Sequence, residues 1–285
     1  MDRPVNAVIP PALAEQSEAE ALHDLETSAP QHVRAALGME AVRLGGGVVL
    51  SMRDDPTRFW SKALGFGFDE PVTLELMEEV CGFYRKQGTP LAVVQLAPSV
   101  LPEDWAEICA RTGLTAGSAW VKLACATRDA LARADAPGRP ADGLRAAPVT
   151  AAHAATWGSV MLRAFGMPAD GGLADMVVSS VGGPDWRPFA AWDGEELVGT
   201  GTLRVKGDAG QFVAGATLPH ARGRGGQSAL LAARARAADE AGCRWLVAET
   251  GAEEPGTHNS SLHNMLRLGF EVQYERRNWI WRADE

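Results

Sequence analysis

The residues best placed to do chemistry are Arg222-Gly223-Arg224-Gly225-Gly226-Gln227. They lie between a short apolar segment ending at Leu218-Pro219 and a long alanine-rich helical pattern beginning at about Gly226. Glycines let the backbone come close to an anion. The first N–H groups of a helix lack intrahelical partners, and the helix dipole places partial positive charge at the same point. With Arg222 and Arg224 beside it, such a loop is a seat for phosphate. The plainer reading of the same letters is a strand-to-helix turn with two solvated arginines, so the surroundings must decide. A second candidate is Glu249, the carboxylate that closes the apolar run WLVAETG. There it must be solvated or paired, because burying it alone is costly. Phenolic proton donors are scarce: the chain has two tyrosines, Tyr84 and Tyr274. The four cysteines, Cys81, Cys109, Cys125 and Cys243, form no CxxC pair, which argues against a metal cluster or a disulfide framework and for small buried side chains. No metal is expected.

These groups need a scaffold, and hydrophobic periodicity predicts a mixed one. Residues 1–40 form an N-terminal extension in which Leu13 to Leu25 either packs on the body as one amphipathic helix or stays mobile. VRLGGGVVLSM reads as a strand interrupted by Gly45-Gly46-Gly47, and RFWSKALGFG as its hairpin partner across an Asp54-Asp55-Pro56 turn. VTLELMEEVCGFYRKQG has one apolar helix face and a stop at Gly88; LAVVQLA is a buried strand, WAEICARTG a helix, and Trp120 to Ala124 a closing strand. Residues 134–143, ADAPGRPADG, read as a linker. Beyond it come a strand, LRAAPVT, and helices in TAAHAATWGSVMLRAFG and GLADMVVSSV. Strands RPFAAWD and ELVGTGTLRVKG follow, joined at Asp193-Gly194, then the strand GQFVAGAT, the loop and its helix. The chain closes with a buried strand RWLVAET, a short helix Ser260 to Leu268, and a strand Tyr274 to Trp281.

The two halves repeat one order of elements at a shift of roughly 155 residues. Gly88 falls against Gly242, and Gly113-Leu114 against Gly269-Phe270, before WVKLA and NWIWRA. The first copy lacks the anion loop: GFGFDEPV stands there, and Asp69 and Glu70 would repel a pyrophosphate.

Residues 144–285 resemble the GNAT superfamily of acyl-CoA-dependent N-acyltransferases, and residues 41–133 a degenerate second copy of the same fold. That family's pattern Arg/Gln-x-x-Gly-x-Gly/Ala lies between its fourth strand and the next helix, the place held here by Arg222 to Gln227. Gln227 is the departure, since the family usually has Gly or Ala. RWLVAET and the helix ending in RLGF also follow in family order. The resemblance implies an α/β class with a mixed sheet, a tandem GNAT fold of two copies. It implies acetyl-CoA or another acyl-CoA as co-substrate and a primary amine of a small molecule as acceptor. Backbone groups of Val213, Ala214, Gly215, Ala216 and Thr217 would bind the pantetheine and carbonyl. The amides of Arg222, Gly223, Arg224, Gly225, Gly226, Gln227 and Ser228 would hold the pyrophosphate. Such catalysis is mostly positioning and oxyanion stabilisation, with a base for the ammonium and an acid for the thiolate.

Many members carry a Tyr acid about five residues before the Gly-Phe pair, a general-acid position that here holds Met265. Beside it, Asn264 either binds the sulfur region of CoA or bridges loops. Tyr274 is the remaining candidate acid, or a sheet residue. Glu249 is the candidate base, or a loop-start residue. Trp157, Trp186 and Trp192 either line an acceptor pocket or fill the core.

Composition narrows the classes. At 46% hydrophobic and 22% charged, the 285 residues suit folded domains, and the net charge of -9 makes nucleic acid a poor partner and an amine a suitable one. No apolar run approaches the ~20 residues of a membrane span. The first residues lack the basic-then-apolar order of a signal peptide, so a cytoplasmic location and no membrane partner are expected. Two fused copies suit a monomer, or a homodimer. Competing readings are a non-catalytic CoA-binding or regulatory tandem module and a scaffold that binds nothing. Hydride transfer on a Rossmann fold is disfavoured, because no ribose-binding acid follows at the end of a second parallel strand.

Overall fold

The computed structural model describes residues 9–134 and 143–283. The sequence-expected linker therefore lies outside the described residues except at its ends. The first half comprises α1 (Pro11–Thr27), α2 (Gln31–Leu37), β1 (Met39–Leu44), β2 (Gly47–Met52), β3 (Lys62–Leu64), α3 (Leu74–Gln87), β4 (Leu91–Gln95), α4 (Trp105–Thr112), β5 (Thr115–Ala126) and α5 (Thr127–Ala134). The second comprises β6 (Leu144–Pro148), α6 (Ala154–Ala164), α7 (Gly172–Ser179), β7 (Trp186–Asp193), β8 (Glu196–Lys206), β9 (Ala209–Thr217), α8 (Gly226–Glu240), β10 (Trp245–Gly251), α9 (Ser260–Leu268) and β11 (Glu271–Arg282).

All eleven strands form one mixed sheet in the order β1-β2-β3-β4-β11-β5-β10-β9-β8-β7-β6. The duplication is plain in that order. The run β1-β2-β3-α3-β4-α4-β5 repeats as β7-β8-β9-α8-β10-α9-β11, and in each run the third strand pairs parallel to the fourth. The last strands are exchanged. β11 pairs with β4 of the first half, β5 pairs with β10 of the second, and the two pair antiparallel with each other at the centre. Neither half therefore completes its own sheet.

Strand alternation assigns the helices to faces. Val49 of β2 packs with Met77 and Val80 of α3, whereas its neighbours Val48 and Leu50 pack with Ala19 of α1. In β10, Leu246 and Ala248 pack with Leu231 of α8, whereas Val247 packs with Ala14 of α1. So α3, α4, α8 and α9 cover one face, and α1, α2, α6 and α7 the other. The segment Leu13 to Leu25 is thus part of a packed helix, α1, which lies over the middle of the sheet. Three of its buried residues are Glu15, Glu18 and Glu26.

The helix stops behave as their glycines predict. Gly88, Gly113 and Gly269 are left-handed C-caps of α3, α4 and α9. Two expectations need correction. Gly45 and Gly46 do not interrupt a strand; at φ +49° and +76° they form the two-residue turn of a β1–β2 hairpin, a conformation glycine adopts without a Cβ penalty. The Asp54-Asp55-Pro56 segment is not a tight turn but the start of a loop running to Ser61. The Asp55 carboxylate shapes it by accepting from the backbone N–H groups of Thr57, Phe59 and Trp60 at 2.7–2.8 Å. No helix of the described residues is long and apolar enough to cross a membrane.

Candidate active site

Strands β9 and β10 pair only from Ala209/Trp245 to Phe212/Ala248 and then part. A bulge drives the divergence: the β8–β9 register shifts between Thr202/Val213 and Thr200/Ala216, and Ala214 sits at φ +55°. Arg234 of α8 braces this irregularity from below. Its guanidinium donates to the carbonyls of Leu230, Thr202 and Val213 and lies 4.4 Å from the Phe212 ring. Burial lowers its pKa to about 9. The splay opens into a cavity of about 410 Å3. Val213, Ala214 and Gly215 line it from β9, Glu249, Thr250 and Gly251 from β10, Gln227 from α8, and Ser261 and Met265 from α9. Ala216 and Thr217 do not line it; they carry β9 on, still paired with β8, toward the glycine loop.

In the loop, Gly223 and Gly225 adopt φ +77° and +80°, and Gly225 is the N-cap of α8. No side chain caps that helix start and no acidic residue occupies its first turn, so the N–H groups of Gly226, Gln227 and Ser228 are left to an outside acceptor. The matching start of α3 is closed: the Thr73 hydroxyl accepts from the Leu76 N–H at 3.2 Å, and Glu75 stands in the first turn. The start of α3 is therefore closed by the Thr73 cap and the Glu75 charge, both nearer the helix than the expected Asp69 and Glu70. The two arginines differ. Arg222 is exposed and its Nε donates to the Thr217 carbonyl, whereas Arg224 turns back onto Asp193 through both of its terminal nitrogens. Arg224 thus contributes its backbone to the loop, not the separate charge its position suggested.

Glu249 is half-buried as a residue but its side chain is only 6% exposed, and it faces Lys122 directly across the β10–β5 pair. It accepts from Lys122 Nζ at 2.7 Å and from Gln211 Nε2 at 2.8 Å. Lys122 also donates to Glu18 at 2.6 Å and to the Ala14 carbonyl. Arg276 of β11 bonds both Glu15 and Glu18, completing a buried row of charges between α1 and the seam of the sheet. The two carboxylates on Lys122 titrate apart. Burial raises that of Glu18, but the Arg276 and Lys122 charges outweigh it and hold the group at about 2. Burial, with repulsion from Glu18, pushes Glu249 up to about 7 against a weaker pull from Lys122 and Arg276. Two carboxylates driven apart in this way are a candidate pair for acid–base chemistry.

The other expected residues are placed less directly. The Tyr274 hydroxyl donates to Glu15 at 2.8 Å within the buried row, and Tyr274 does not line the cavity. Burial and Glu15 raise its pKa. Asn264 donates to Gln227 Oε1 at 2.6 Å and accepts from Arg267, so it ties α9 to α8 outside the cavity lining. Gln227 Nε2 donates to the Ser261 hydroxyl at 3.0 Å, which leaves the Ser261 proton free. Trp157 and Trp186 line the cavity, while Trp192 packs edge-on against His153. On the far wall stand Glu18, Leu22 and Leu25 of α1, Phe59 and Trp60 of the loop before β3, Lys62 and Trp120. That wall belongs to the first half. Sequence reasoning missed Lys62, Lys122, Glu18 and Ser261, although a lysine inside WVKLACA carries the same warning of a buried charge as Glu249.

Away from the cavity, Glu253, His258 and His263 bring ligand-type atoms within 4.8 Å of one another. The two imidazoles stack at 4.5 Å with 23° between their planes, and both present a ring nitrogen to Glu253 Oε1, His258 Nδ1 at 3.6 Å and His263 Nε2 at 3.0 Å.

A bulged, splayed strand pair with a glycine-rich helix start at its mouth defines the protein as an α/β protein with the GNAT fold. Solved structures of that fold are similar to nearly the whole chain. A GCN5-related N-acetyltransferase from Kribbella flavida is 19% identical with a TM-score of 0.64, over 96% of this chain and 98% of that one. A tandem GNAT protein from the clavulanic acid biosynthesis pathway is 17% identical with a TM-score of 0.58, over 95% and 97%. A GCN5-related N-acetyltransferase from Sphaerobacter thermophilus is 16% identical with a TM-score of 0.55, over 99% and 96%. No family model and no curated protein matches the sequence.

Proposed function

We propose that the protein is an acyl-CoA-dependent N-acyltransferase, with acetyl-CoA as the simplest donor and a primary amine of a small molecule as acceptor. The observation that carries the reading is the uncapped, glycine-shaped start of α8 opening onto the same cavity as a buried carboxylate with a pKa of about 7. The fit is specific to one copy, since the start of α3 is capped and acidic. Residues 144–285 are read as the domain that binds the donor. Residues 41–133, with the extension 1–40, are read as a degenerate copy that has become the acceptor wall, and the chain acts as a monomer.

Acyl-CoA supplies an acyl group activated as a thioester. The N–H groups of Gly226, Gln227 and Ser228 hold its pyrophosphate, and Val213 to Gly215 receive the pantetheine and stabilise the developing oxyanion. Glu249, once ionised, accepts the proton that the ammonium must lose before attack, and Lys122 and Gln211 fix its orientation. Ser261 shares one face of α9 with Met265, four residues on, and its free proton can meet the departing sulfur. Isothermal titration with acetyl-CoA and a thiol-release assay across an amine panel test the reading. Micromolar binding with turnover is expected, and absence of acetyl-CoA binding overturns it. A second reading, a CoA-binding module without turnover, is favoured by Met265 at the usual acid position and by the commitment of Tyr274 to Glu15. Binding without thiol release on any amine would select it.

A further inference from the structure

Lys62 is a buried cation without a bonded counter-charge; Glu18, Glu26 and Glu249 act on it only at a distance. Its side chain is 4% exposed, and among the described residues it has no ion pair and no hydrogen bond. The ammonium lies 3.7 Å over the Phe59 ring and 5.3 Å from the ring of Trp120. Lys62 and both rings line the cavity. Trp120 pairs with Gly251, where β10 leaves the splay, so its ring spans from the end of the Glu249 strand to Lys62.

The neighbouring charges leave this cation exposed to the cavity. Glu15, Glu18 and Glu249 are bonded to Lys122 and Arg276, and none of the three is bonded to Lys62. Glu26, the remaining buried acid of α1, does not line the cavity, and burial pushes its carboxyl well above the usual range against the pull of Lys62. Burial lowers the pKa of Lys62 to about 8, so it still carries its proton at neutral pH. An unpaired charge in an apolar wall is costly unless something that enters the wall neutralises it.

We infer that the acceptor carries a carboxylate as well as its amine on an apolar body, and that Lys62 binds this carboxylate while the amine meets Glu249. This deepens the acyltransferase reading and rests on it. The overall charge of -9 hides the local field: of the two lining cations without a carboxylate partner, Arg234 is spent on carbonyls and Lys62 bonds nothing, and the acceptor that suits Lys62 is an amino acid with an apolar side chain. A carboxylate on the acyl chain is the other source of the same chemistry. Lys62 belongs to the first-half wall and shares the α1 face of β3 with Leu64, whereas α8, at whose start the donor is held, covers the other face, so the observations favour the acceptor.

The test uses the full chain and matched pairs that differ by one carboxylate: L-phenylalanine and 2-phenylethylamine, L-leucine and 3-methylbutylamine. Affinities are measured by titration calorimetry with and without CoA, and thiol release from acetyl-CoA and succinyl-CoA is followed in parallel. The acid of each pair should bind about ten- to a hundredfold tighter, the range of one charge-assisted contact. Lys62→Met should abolish that preference by weakening the acid of each pair far more than its amine, and Lys62→Arg should keep part of it. Equal binding within pairs, no binding of either member, an equal loss for both members in Lys62→Met, or a Lys62-dependent preference for succinyl-CoA would each overturn the inference. Should Lys62→Met fail to fold by circular dichroism, the wild-type pairs and Lys62→Arg decide. Failure of acyl transfer is read separately: CoA that does not bind, or thiol that is never released, removes that reading, while the paired affinities without CoA still judge Lys62.

Discussion

Glu249 lies opposite Lys122 across β10 and β5, and at the corresponding place across β4 and β11 Gln95 lies opposite Asn278. The second pair is a neutral hydrogen bond of 2.7 Å, Gln95 Nε2 donating to Asn278 Oδ1. The same architecture thus holds a titratable couple on one side of the seam and an inert amide pair on the other. With a pKa pushed up to about 7, Glu249 is protonated in acid and becomes a base only as pH rises through that value. Log kcat/KM should therefore climb with pH to a plateau above neutrality. Glu249→Gln should lower it by about 10²–10⁴-fold and remove that limb, which a pH–rate profile reads directly. A limb that persists in the variant would assign the base elsewhere. The sign for stability is opposite: because the folded pKa lies above the unfolded value, this group's contribution is full in acid and is lost as pH rises through about 7. Lys122 is a different case, a cation shared by three buried acids. Lys122→Met leaves those acids uncompensated and should cost about 3–5 kcal/mol, measurable by urea titration. A loss under about 1 kcal/mol, the worth of an exposed pair, would show that the row is solvated.

At the scale of elements, the starts of α8 and α3 give the same helix position opposite uses. Thr73 satisfies a donor of α3 from within, whereas no side chain does so at the start of α8. Gly223 is where that loop depends on residue type, for it sits at φ +77° with open space where a Cβ would point. A side chain there meets no clash, so the effect of substitution is conformational, of order 1–2 kcal/mol for an L residue held left-handed. Gly223→Val should weaken acetyl-CoA binding by about tenfold or more, corresponding to that strain. Its melting temperature should change little, since the loop can relax when no ligand holds it. Unchanged affinity by calorimetry would mean that the pyrophosphate does not use these amides.

For the whole molecule, the exchange of β5 and β11 makes the halves interdependent. Residues 143–285 alone keep β11 but lose β5, and with it Lys122 and the partner of β10. An uncovered central strand is a template for pairing with another chain. Expressed alone, this half should dimerise through β11 in place of β5, or aggregate, and should not acylate amines because Asn278 would stand where Lys122 stood. Sedimentation analysis showing a folded, active monomer would contradict the interdependence.

Local chemistry made much of this legible in the sequence. The left-handed stops at Gly88, Gly113 and Gly269, the periodic faces of the helices, and the glycine–arginine loop are each encoded within a few residues, because backbone conformation and helix termini are set by near neighbours. The repeat and the mixed α/β class follow from the order of such signals. The pairing of Glu249 with Lys122, 127 residues away, and of Arg276 with Glu15, 261 residues away, had no local signature. Neither did the crossing of the last strands. Those depend on which edges and faces bury one another when the whole chain closes, a choice made by long-range packing, whose free energy no short window contains. The sequence thus determined where a glycine-rich helix start stands without a side-chain cap. The tertiary structure decided that Glu249 is buried and poised, and that the first half lends its wall and Lys62 to the second.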